Sequence, residues 1–145
     1  MKYILTLFYI LLVGCSNQVF DPVGYEPICD FDVRIWSDLP QGNAGDYKLE
    51  WQDSDTQTFG IIKANIGHDV VQKVAWQSDY EVYYQGEWIN LVNQASYSTD
   101  DGIATTVLGV FENFIGDVIT VAIGFKDECG NQYLETCTVE VVNEE

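Results

Sequence analysis

Short runs in which apolar and polar residues alternate fill the sequence from Cys29 onward, and Gly, Asp and Asn separate these runs. The last run, Tyr133–Val142, places Cys137, Val139 and Val141 on one side. A period of two is what a β-strand with one buried face requires. The same pattern predicts further strands at Phe31–Ile35, Tyr47–Trp51, Thr58–Ala64, Val70–Trp76, Tyr80–Tyr84, Trp88–Val92, Ile103–Phe111 and Val118–Phe125.

Helical spacing of apolar residues is not sustained anywhere in the sequence. The best helix candidate, Ser54–Asp69, is interrupted by Gly60 and Gly67 and is rich in β-branched residues, which lose side-chain freedom in a helix. Eight or nine short strands at roughly ten-residue spacing therefore predict an antiparallel β-sandwich. A barrel with the same number of strands is the alternative.

The N-terminus has the three parts of an export signal. Lys2 supplies the positive charge, Tyr3–Val13 is apolar, and Leu12-Val13-Gly14-Cys15 resembles a bacterial lipobox. The apolar run is shorter than the ~20 residues that a membrane-spanning helix needs. The resemblance implies that residues 1–14 are a signal peptide, that Cys15 carries the lipid, and that residues 15–28 form a tether. In lipoproteins of this type, an Asp after the lipidated Cys often signals retention in the inner membrane. This sequence has Ser16 at that position, so the resemblance implies the outer membrane or the cell surface.

The charge balance excludes one class of partner. The sequence holds 23 acidic residues and six basic ones, and Lys2 lies in the signal peptide. The five remaining cations are scattered, so they cannot form a groove for DNA or RNA. An acidic surface keeps a protein soluble and favours cations or cationic partners. An acidic inhibitor of a cationic enzyme is therefore one functional hypothesis.

The C-terminal segment Val118–Val142 resembles the last two strands of bacterial immunoglobulin-like repeats of the HYR and PKD type. Those repeats have an Asp-x-x-Gly-Asn turn followed by a Cys-x-Val-x-Val strand. The matching residues here are Asp127, Gly130, Asn131, Cys137, Val139 and Val141. The resemblance implies an immunoglobulin-like β-sandwich over residues 29–145 and a role as spacer, adhesive unit or binding module. Tyr47–Tyr97 has no counterpart in the repeats, so only the fold is carried over.

Three cysteines remain after lipidation of Cys15, and the exported location favours a disulfide. Cys129 and Cys137 should not pair, because a strand would hold them on the order of 20 Å apart and a disulfide needs Cα atoms within about 7 Å. The resemblance implies a bridge between Cys29 and Cys137, with Cys29–Cys129 as the alternative.

Catalytic and metal-binding signals are weak. His68 is the only histidine, lies in a Gly-His-Asp turn, and has no Gly-x-Ser-x-Gly motif to accompany it, so we predict that the protein is not an enzyme. Asp53–Asp55, Asp100–Gly102 and Asp127 with Glu128 gather oxygen ligands, but none matches the calcium-binding EF-hand loop. Solvated turns explain these clusters, because Asp and Ser are common there. We predict no metal and no cofactor.

Aromatic residues are concentrated around one predicted hairpin that turns at Gln85-Gly86. Exposed aromatic rows stack on sugar rings or are buried by protein partners. Trp76, Tyr83 and Trp88 are therefore the candidate ligand-binding residues. The alternative is that Trp76 and Trp88 pack in the core.

Two functional hypotheses follow beside that of the inhibitor. The first is a lipid-anchored, non-enzymatic binding, adhesion or assembly module that contacts a protein. The second is a carbohydrate-binding accessory lipoprotein that uses the aromatic hairpin.

Overall fold

The computed structural model describes residues 24–54 and 56–144. The predicted signal peptide, Cys15 and most of the predicted tether lie outside these residues. Within them, a 3₁₀ turn at Glu112–Phe114 is the one helical element. The strands are β1 (Arg34–Ser37), β2 (Tyr47–Trp51), β3 (Thr58–Asn65), β4 (Lys73–Ser78), β5 (Glu81–Tyr84), β6 (Glu87–Asn90), β7 (Ala95–Tyr97), β8 (Ile103–Val110), β9 (Val118–Lys126) and β10 (Gln132–Asn143).

Two main sheets form a sandwich. One has the order β1-β3-β8 and the other the order β2-β10-β9-β4-β7, while β5 and β6 form a separate hairpin. β2 runs parallel to β10, and every other strand pair is antiparallel. In immunoglobulin domains, strands A, B and E lie in one sheet, and strands C, F and G in the other. β1, β3 and β8 occupy the first set of places, and β4, β9 and β10 the second. The protein is thus an immunoglobulin-like β-sandwich, as predicted.

The core lies between the two sheets and is built from the inward side of each strand. Cys137, Val139 and Val141 of β10 are buried, as their alternation predicts. Removing apolar surface from water at about 25 cal/mol per Å² is the main force that holds the sheets together. The largest side chains with almost no exposure are Ile62, Ile66, Leu108, Ile119, Ile123, Val74, Val110, Val121, Val139, Val141 and Thr106.

Most strand boundaries follow the alternating runs. β1 is shifted from the predicted Phe31–Ile35 to Arg34–Ser37, and two further exceptions are informative. β4 begins at Lys73 instead of Val70, because the side chain of Ser98 takes the place of a strand partner. Its hydroxyl donates to the Val70 carbonyl at 2.7 Å and accepts from the Gln72 N–H at 2.7 Å. β7 was not predicted, because it is three residues long and carries no alternating apolar pattern.

The disulfide joins Cys29 to Cys129, with Cα atoms 5.9 Å apart, so the predicted Cys29–Cys137 bridge is wrong. The segment before β1 crosses the turn between β9 and β10, where the Phe31 N–H donates to the Tyr133 hydroxyl at 3.2 Å. This crossing brings Cys29 to the turn instead of the middle of β10. Cys137 is a free thiol in the core, and burial raises its pKa to about 12. As predicted, Cys129 and Cys137 do not pair.

Candidate functional site

The β5–β6 hairpin forms a two-stranded sheet of its own and pairs with no third strand among the residues that the structure describes. Its turn residues, Gln85 and Gly86, have φ angles of 51° and 91°. Positive φ at both positions is what a two-residue hairpin turn requires, because its twist then matches that of the strands. The predicted turn is confirmed, and it places the aromatic residues of both strands opposite one another.

One side of the hairpin, which we call the Trp88 face, carries Glu81, Tyr83, Trp88 and Asn90. These residues share a face because side chains alternate along a strand and Tyr83 lies directly opposite Trp88. The two ring centroids are 5.3 Å apart, with the planes inclined by 60°. Tyr83 is 60% exposed and Trp88 is 68% exposed. The structure thus brings together two of the three predicted ligand-binding residues at the surface.

The opposite side, the Tyr84 face, carries Val82, Tyr84, Glu87 and Ile89. Tyr84 and Ile89 are exposed. A groove of about 450 Å³ separates this face from the end of β8. Its lining residues are Thr56, Gln57, Val82, Tyr84, Ile89, Asn90, Leu91, Gly109 and Phe111. Apolar side chains therefore stand in water on both faces of the hairpin.

Trp76 belongs to the core, so the prediction that it contributes to the ligand-binding surface is wrong. It lies on β4 opposite Ile123 of β9 and is 2% exposed. Its indole N–H donates to the Ser96 hydroxyl at 2.8 Å, which satisfies the polar atom that burial would otherwise leave unpaired. Trp76 and Trp88 therefore have different surroundings, although both were predicted from the same aromatic cluster.

The base of the hairpin is fixed by Ser78 and Asn90, which the sequence did not single out. The Ser78 N–H donates to the Asn90 side-chain oxygen at 2.9 Å, and the two side chains lie 2.8 Å apart. The Ser78 hydroxyl also accepts from the Leu91 N–H at 3.1 Å. Ser78 is 2% exposed, so these bonds are shielded from water and hold the hairpin at a fixed angle.

A second pocket, of about 420 Å³, lies beside the Trp88 face. Its floor is rigid. The Asp79 carboxylate accepts from the Thr120 N–H at 2.8 Å, and the Tyr80 ring meets Phe114 edge-on at 5.8 Å. The lining residues are Gln77, Ser78, Asp79, Tyr80, Glu81 and Trp88. Aromatic rings and carboxylates thus share one pocket.

The hairpin lies in the most one-sided part of the charge distribution. From Val74 to Phe125 the sequence contains no Lys, Arg or His. Its acidic residues in that range are Asp79, Glu81, Glu87, Asp100, Asp101, Glu112 and Asp117. Elsewhere Arg34 and Lys63 form ion pairs with Asp32 and Asp38. The hairpin therefore lies within a long stretch of sequence whose only charged residues are acidic.

The other end of the sandwich, which we call the disulfide end, is built around Cys29–Cys129 and Asp127. Asp127 is buried and accepts from the Asn131 N–H at 2.8 Å and the Tyr133 hydroxyl at 2.8 Å. Burial alone would raise the pKa of Asp127, but the hydrogen bonds from Asn131 and Tyr133 outweigh it and hold that pKa below its usual value. This carboxylate is therefore charged and satisfied within the protein.

His68 lies in a bend, packs at the disulfide end and is half-buried. Its Nε2 lies 3.1 Å from the Cys29 carbonyl and, as an acceptor is facing it, donates the hydrogen bond. The ring meets Phe31 edge-on with centroids 4.7 Å apart. These contacts give His68 a role in attaching the segment before β1.

The acidic clusters divide into turns and internal acceptors. Asp55 lies outside the described residues, and Asp100 and Asp101 are in a turn before β8. Glu140 is buried, and its carboxylate accepts the N–H groups of Asn43 and Ala44, which lower its pKa. Over residues 24–54 and 56–144 no three His, Cys, Asp or Glu side chains are grouped so that they could hold a metal.

Comparisons with known proteins concern the fold. No protein-family model matches the sequence. No curated protein matches it. Among solved structures, the ASH / PapD-like domain of human CEP192 (PapD-like domain 7) is similar, with a TM-score of 0.47 and 9% identity over 83% of this chain and 94% of that one. Spo0M, a sporulation control protein from Bacillus subtilis, has a TM-score of 0.37 and 8% identity over 81% of this chain and 51% of that one.

No helix in the described residues has the length and hydrophobicity needed to span a bilayer.

Proposed function

We propose that this protein is a lipid-anchored, non-enzymatic binding or assembly module whose β5–β6 hairpin contacts a protein partner. The immunoglobulin-like sandwich provides a rigid support, and the hairpin provides the contact surface. A fold of this kind is well suited to the role, because strands and turns hold exposed side chains in a fixed arrangement. The partner would sit at the surface of the cell or in the periplasm.

The exposure of Tyr83, Tyr84 and Trp88 is the observation that carries this proposal. Each of these side chains is at least 51% exposed, although burial of an aromatic ring contributes more than burial of most residues. Exposed apolar clusters on monomeric proteins often mark contact sites. The hydrogen bonds at Ser78 and Asn90 limit the motion of the hairpin, so little conformational entropy is lost when a partner binds.

A protein partner fits better than a flat sugar surface, because apolar residues lie on both faces of the hairpin. A partner that embraces the hairpin would bury Tyr83 and Trp88 on one side, and Tyr84 and Ile89 on the other. A single sugar ring stacks on one aromatic face and would leave the Tyr84 face in water. Tyr and Trp are also the residues most enriched at the energetic centre of protein interfaces.

A non-enzymatic role is part of the proposal. The imidazole of His68 has its Nε2 engaged by the Cys29 carbonyl, and Asp127 and Glu140 have their carboxylates occupied by internal donors. Groups that are held in this way act as structural contacts. The proposal therefore assigns no chemical step to any of these residues.

The anchor at Cys15 follows from the lipobox resemblance and is likewise a proposal. Metabolic labelling with a fatty-acid analogue tests it by comparing the wild type with Cys15→Ala. The expected result is that label is incorporated into the wild type and lost in the variant. Equal label in both, or none in either, would contradict the anchor.

Site-specific photocrosslinking tests the contact surface. Tyr83→p-benzoylphenylalanine places a reactive ring on the Trp88 face. Leu134→p-benzoylphenylalanine is the matched control, because Leu134 is 70% exposed and pairs with Gly124 near the β9–β10 turn. After irradiation of intact cells, we expect one dominant adduct from position 83 and not from position 134. Mass spectrometry then identifies the attached protein.

A second variant makes the crosslinking result decisive. Trp88→Ala, added to the position-83 probe, should abolish the adduct while the protein remains folded and abundant. Identical adducts from positions 83 and 134, or an adduct that persists without Trp88, would contradict the hairpin as the contact surface.

Carbohydrate binding is the second candidate, and one observation favours it. The exposed Trp88 ring lies beside the hydrogen-bonding groups of Gln77, Asp79 and Glu81, and an aromatic ring next to polar groups suits a sugar. Tryptophan fluorescence during titration with a glycan panel tests this candidate. Quenching that disappears in Trp88→Ala would support it, and no response to the panel would eliminate it.

A further inference from the structure

We propose that the pocket beside the Trp88 face binds an arginine side chain of the protein partner. This inference rests on the proposed function and specifies the chemistry of that partner. The pocket joins three features that a guanidinium group needs at the same place. These are an accessible aromatic ring, two carboxylates of which that of Asp79 is held in place, and a stretch of sequence around them that contains no basic residue.

The aromatic wall is formed by Trp88 and Tyr80. Trp88 is 68% exposed and Tyr80 is 38% exposed, so both rings remain accessible at the pocket. Planar guanidinium groups stack on tryptophan better than on other rings, typically within about 6 Å of the ring centre. Tyr80 is steadied by its edge-on contact with Phe114, so the wall is in place before a ligand arrives.

The carboxylates belong to Asp79 and Glu81. Asp79 is held by two backbone hydrogen bonds with Thr120, one from its own N–H at 3.1 Å and one to its carboxylate at 2.8 Å. Glu81 shares the Trp88 face, two positions before Tyr83 on the same strand. The N–H groups of a guanidinium that stacks on Trp88 lie in a plane parallel to the indole ring. They therefore point past the edge of the ring, where carboxylates can accept them.

The charge of the surrounding chain favours a cation at this pocket. Lys73 and Lys126 bracket a stretch that contains no Lys, Arg or His, and both the pocket and the hairpin lie within it. An approaching arginine is therefore attracted by acidic residues that this stretch contributes, and the stretch itself contributes no basic side chain. Such a field raises the rate of association and weakens as salt is added.

Arginine fits the pocket better than lysine. The guanidinium is planar, is weakly hydrated, and can stack on a ring while it donates hydrogen bonds at its edge. A lysine ammonium is strongly hydrated and acts as a point charge, so it gains less from Trp88. We therefore expect the pocket to select arginine over lysine and not to bind all cations alike.

Titration of the purified protein with capped oligo-arginine and oligo-lysine peptides of equal length tests the inference. The indole N–H of Trp88 and the backbone amides of Asp79–Glu81 are followed by NMR. We expect saturable shifts with oligo-arginine, and binding about threefold or more weaker for oligo-lysine. Raising the salt concentration from about 0.03 to 0.5 M should weaken binding strongly.

Two variants that each remove one negative charge form a matched pair of test and control. Glu81→Gln removes a carboxylate that lines the pocket, and Glu87→Gln removes one from the opposite face of the same hairpin. We expect Glu81→Gln to weaken oligo-arginine binding by about threefold and Glu87→Gln to leave it nearly unchanged. Trp88→Ala should weaken it by about tenfold.

Equal binding of the two peptides, with equal losses in Glu81→Gln and Glu87→Gln, would overturn the inference, because it would indicate diffuse charge attraction. An absence of any shift would overturn it as well. In either case the position-83 photocrosslink decides the fate of the proposed function. A Trp88-dependent adduct leaves the contact surface standing with a partner of other chemistry, and loss of both results rejects the two together.

Discussion

The disulfide end and the hairpin use the same kinds of residue for opposite purposes. At the disulfide end, Phe31, Phe125 and Tyr133 pack against one another with centroids 5.0 to 5.6 Å apart. Their carboxylate neighbour, Asp127, is buried and has internal donors. On the hairpin, Tyr83 and Trp88 contact each other but stand in water, and the nearby carboxylates are exposed.

The difference teaches which contacts stabilise the fold and which remain available. Rings that pack against one another and a satisfied carboxylate contribute to the free energy of unfolding, because these contacts remove surface from water. Exposed rings contribute little to it until something covers them. The two regions therefore predict opposite effects of substitution on stability and on binding.

The largest expected effect comes from breaking the disulfide end. Cys29→Ser should lower the free energy of unfolding by about 2–5 kcal/mol, because the bridge closes a loop with a sequence separation of 100. Urea unfolding of the oxidised protein measures this loss. Cys29→Ser/Cys129→Ser is the control and should be no less stable than the single variant. An unchanged midpoint in both would show that the disulfide does not constrain the unfolded chain.

Tyr133→Phe should lower the free energy of unfolding by about 1–3 kcal/mol, because it removes the hydroxyl that donates to Asp127 and accepts from Phe31. The loss should also depend on pH. The folded-state pKa of Asp127 is lowered, so its contribution to stability is present above the unfolded value of about 3.9 and is lost as pH falls through the folded pKa.

The sign of this pH dependence gives a sharper test. The stability difference between wild type and Tyr133→Phe should be largest above about pH 4 and should shrink at lower pH, where Asp127 is protonated in both. Urea midpoints measured across the acidic range report this difference. A difference that grows as the pH falls would contradict the assigned hydrogen bond.

Ser78→Ala tests the connection between the hairpin and the sandwich. We expect a loss of about 1–2 kcal/mol, since the Leu91 N–H loses its acceptor in a buried place. Amide hydrogen exchange should accelerate in β5 and β6 more than in β9 and β10. Uniform acceleration throughout the protein would mean that the hairpin is not separately held by this residue.

Trp88→Ala should have the smallest effect on stability, within about 0.5 kcal/mol of the wild type, although it should abolish the photocrosslink at position 83. Tyr97→Ala is the matched control, because Tyr97 is 65% exposed on β7, and it should leave both stability and the crosslink intact. A large loss of stability in Trp88→Ala would mean that this ring supports the fold, and the contrast between the two regions would fail.

Most strands of the sandwich could be predicted, because the alternation of apolar and polar residues is visible within each short segment of the sequence. β10 shows this most clearly, with Cys137, Val139 and Val141 buried as expected. The alternative that Trp76 packs in the core is confirmed, because Trp76 lies on the buried face of β4 with Val74 and Ser78. Trp88, for which the same alternative was raised, is exposed instead.

The disulfide and the hairpin contacts could not be predicted, because they depend on where separate segments meet. Cys29 lies before the first strand, and nothing local indicates that its segment crosses the β9–β10 turn. Trp88 and Ile89 are adjacent and both apolar, so alternation could not say which face of β6 is wet. Both are exposed, because within residues 24–54 and 56–144 the hairpin pairs with no third strand.

Hydroxyl-radical footprinting of the lipid-anchored protein tests the central claim most directly, namely that the hairpin is covered by a partner. The protein in intact cells is compared with the same protein in vesicles that contain no other protein. We expect oxidation of Tyr83, Tyr84 and Trp88 to fall in cells, while oxidation of the comparably exposed Tyr97 and Leu134 does not change. Equal oxidation of the hairpin in cells and in vesicles would contradict it.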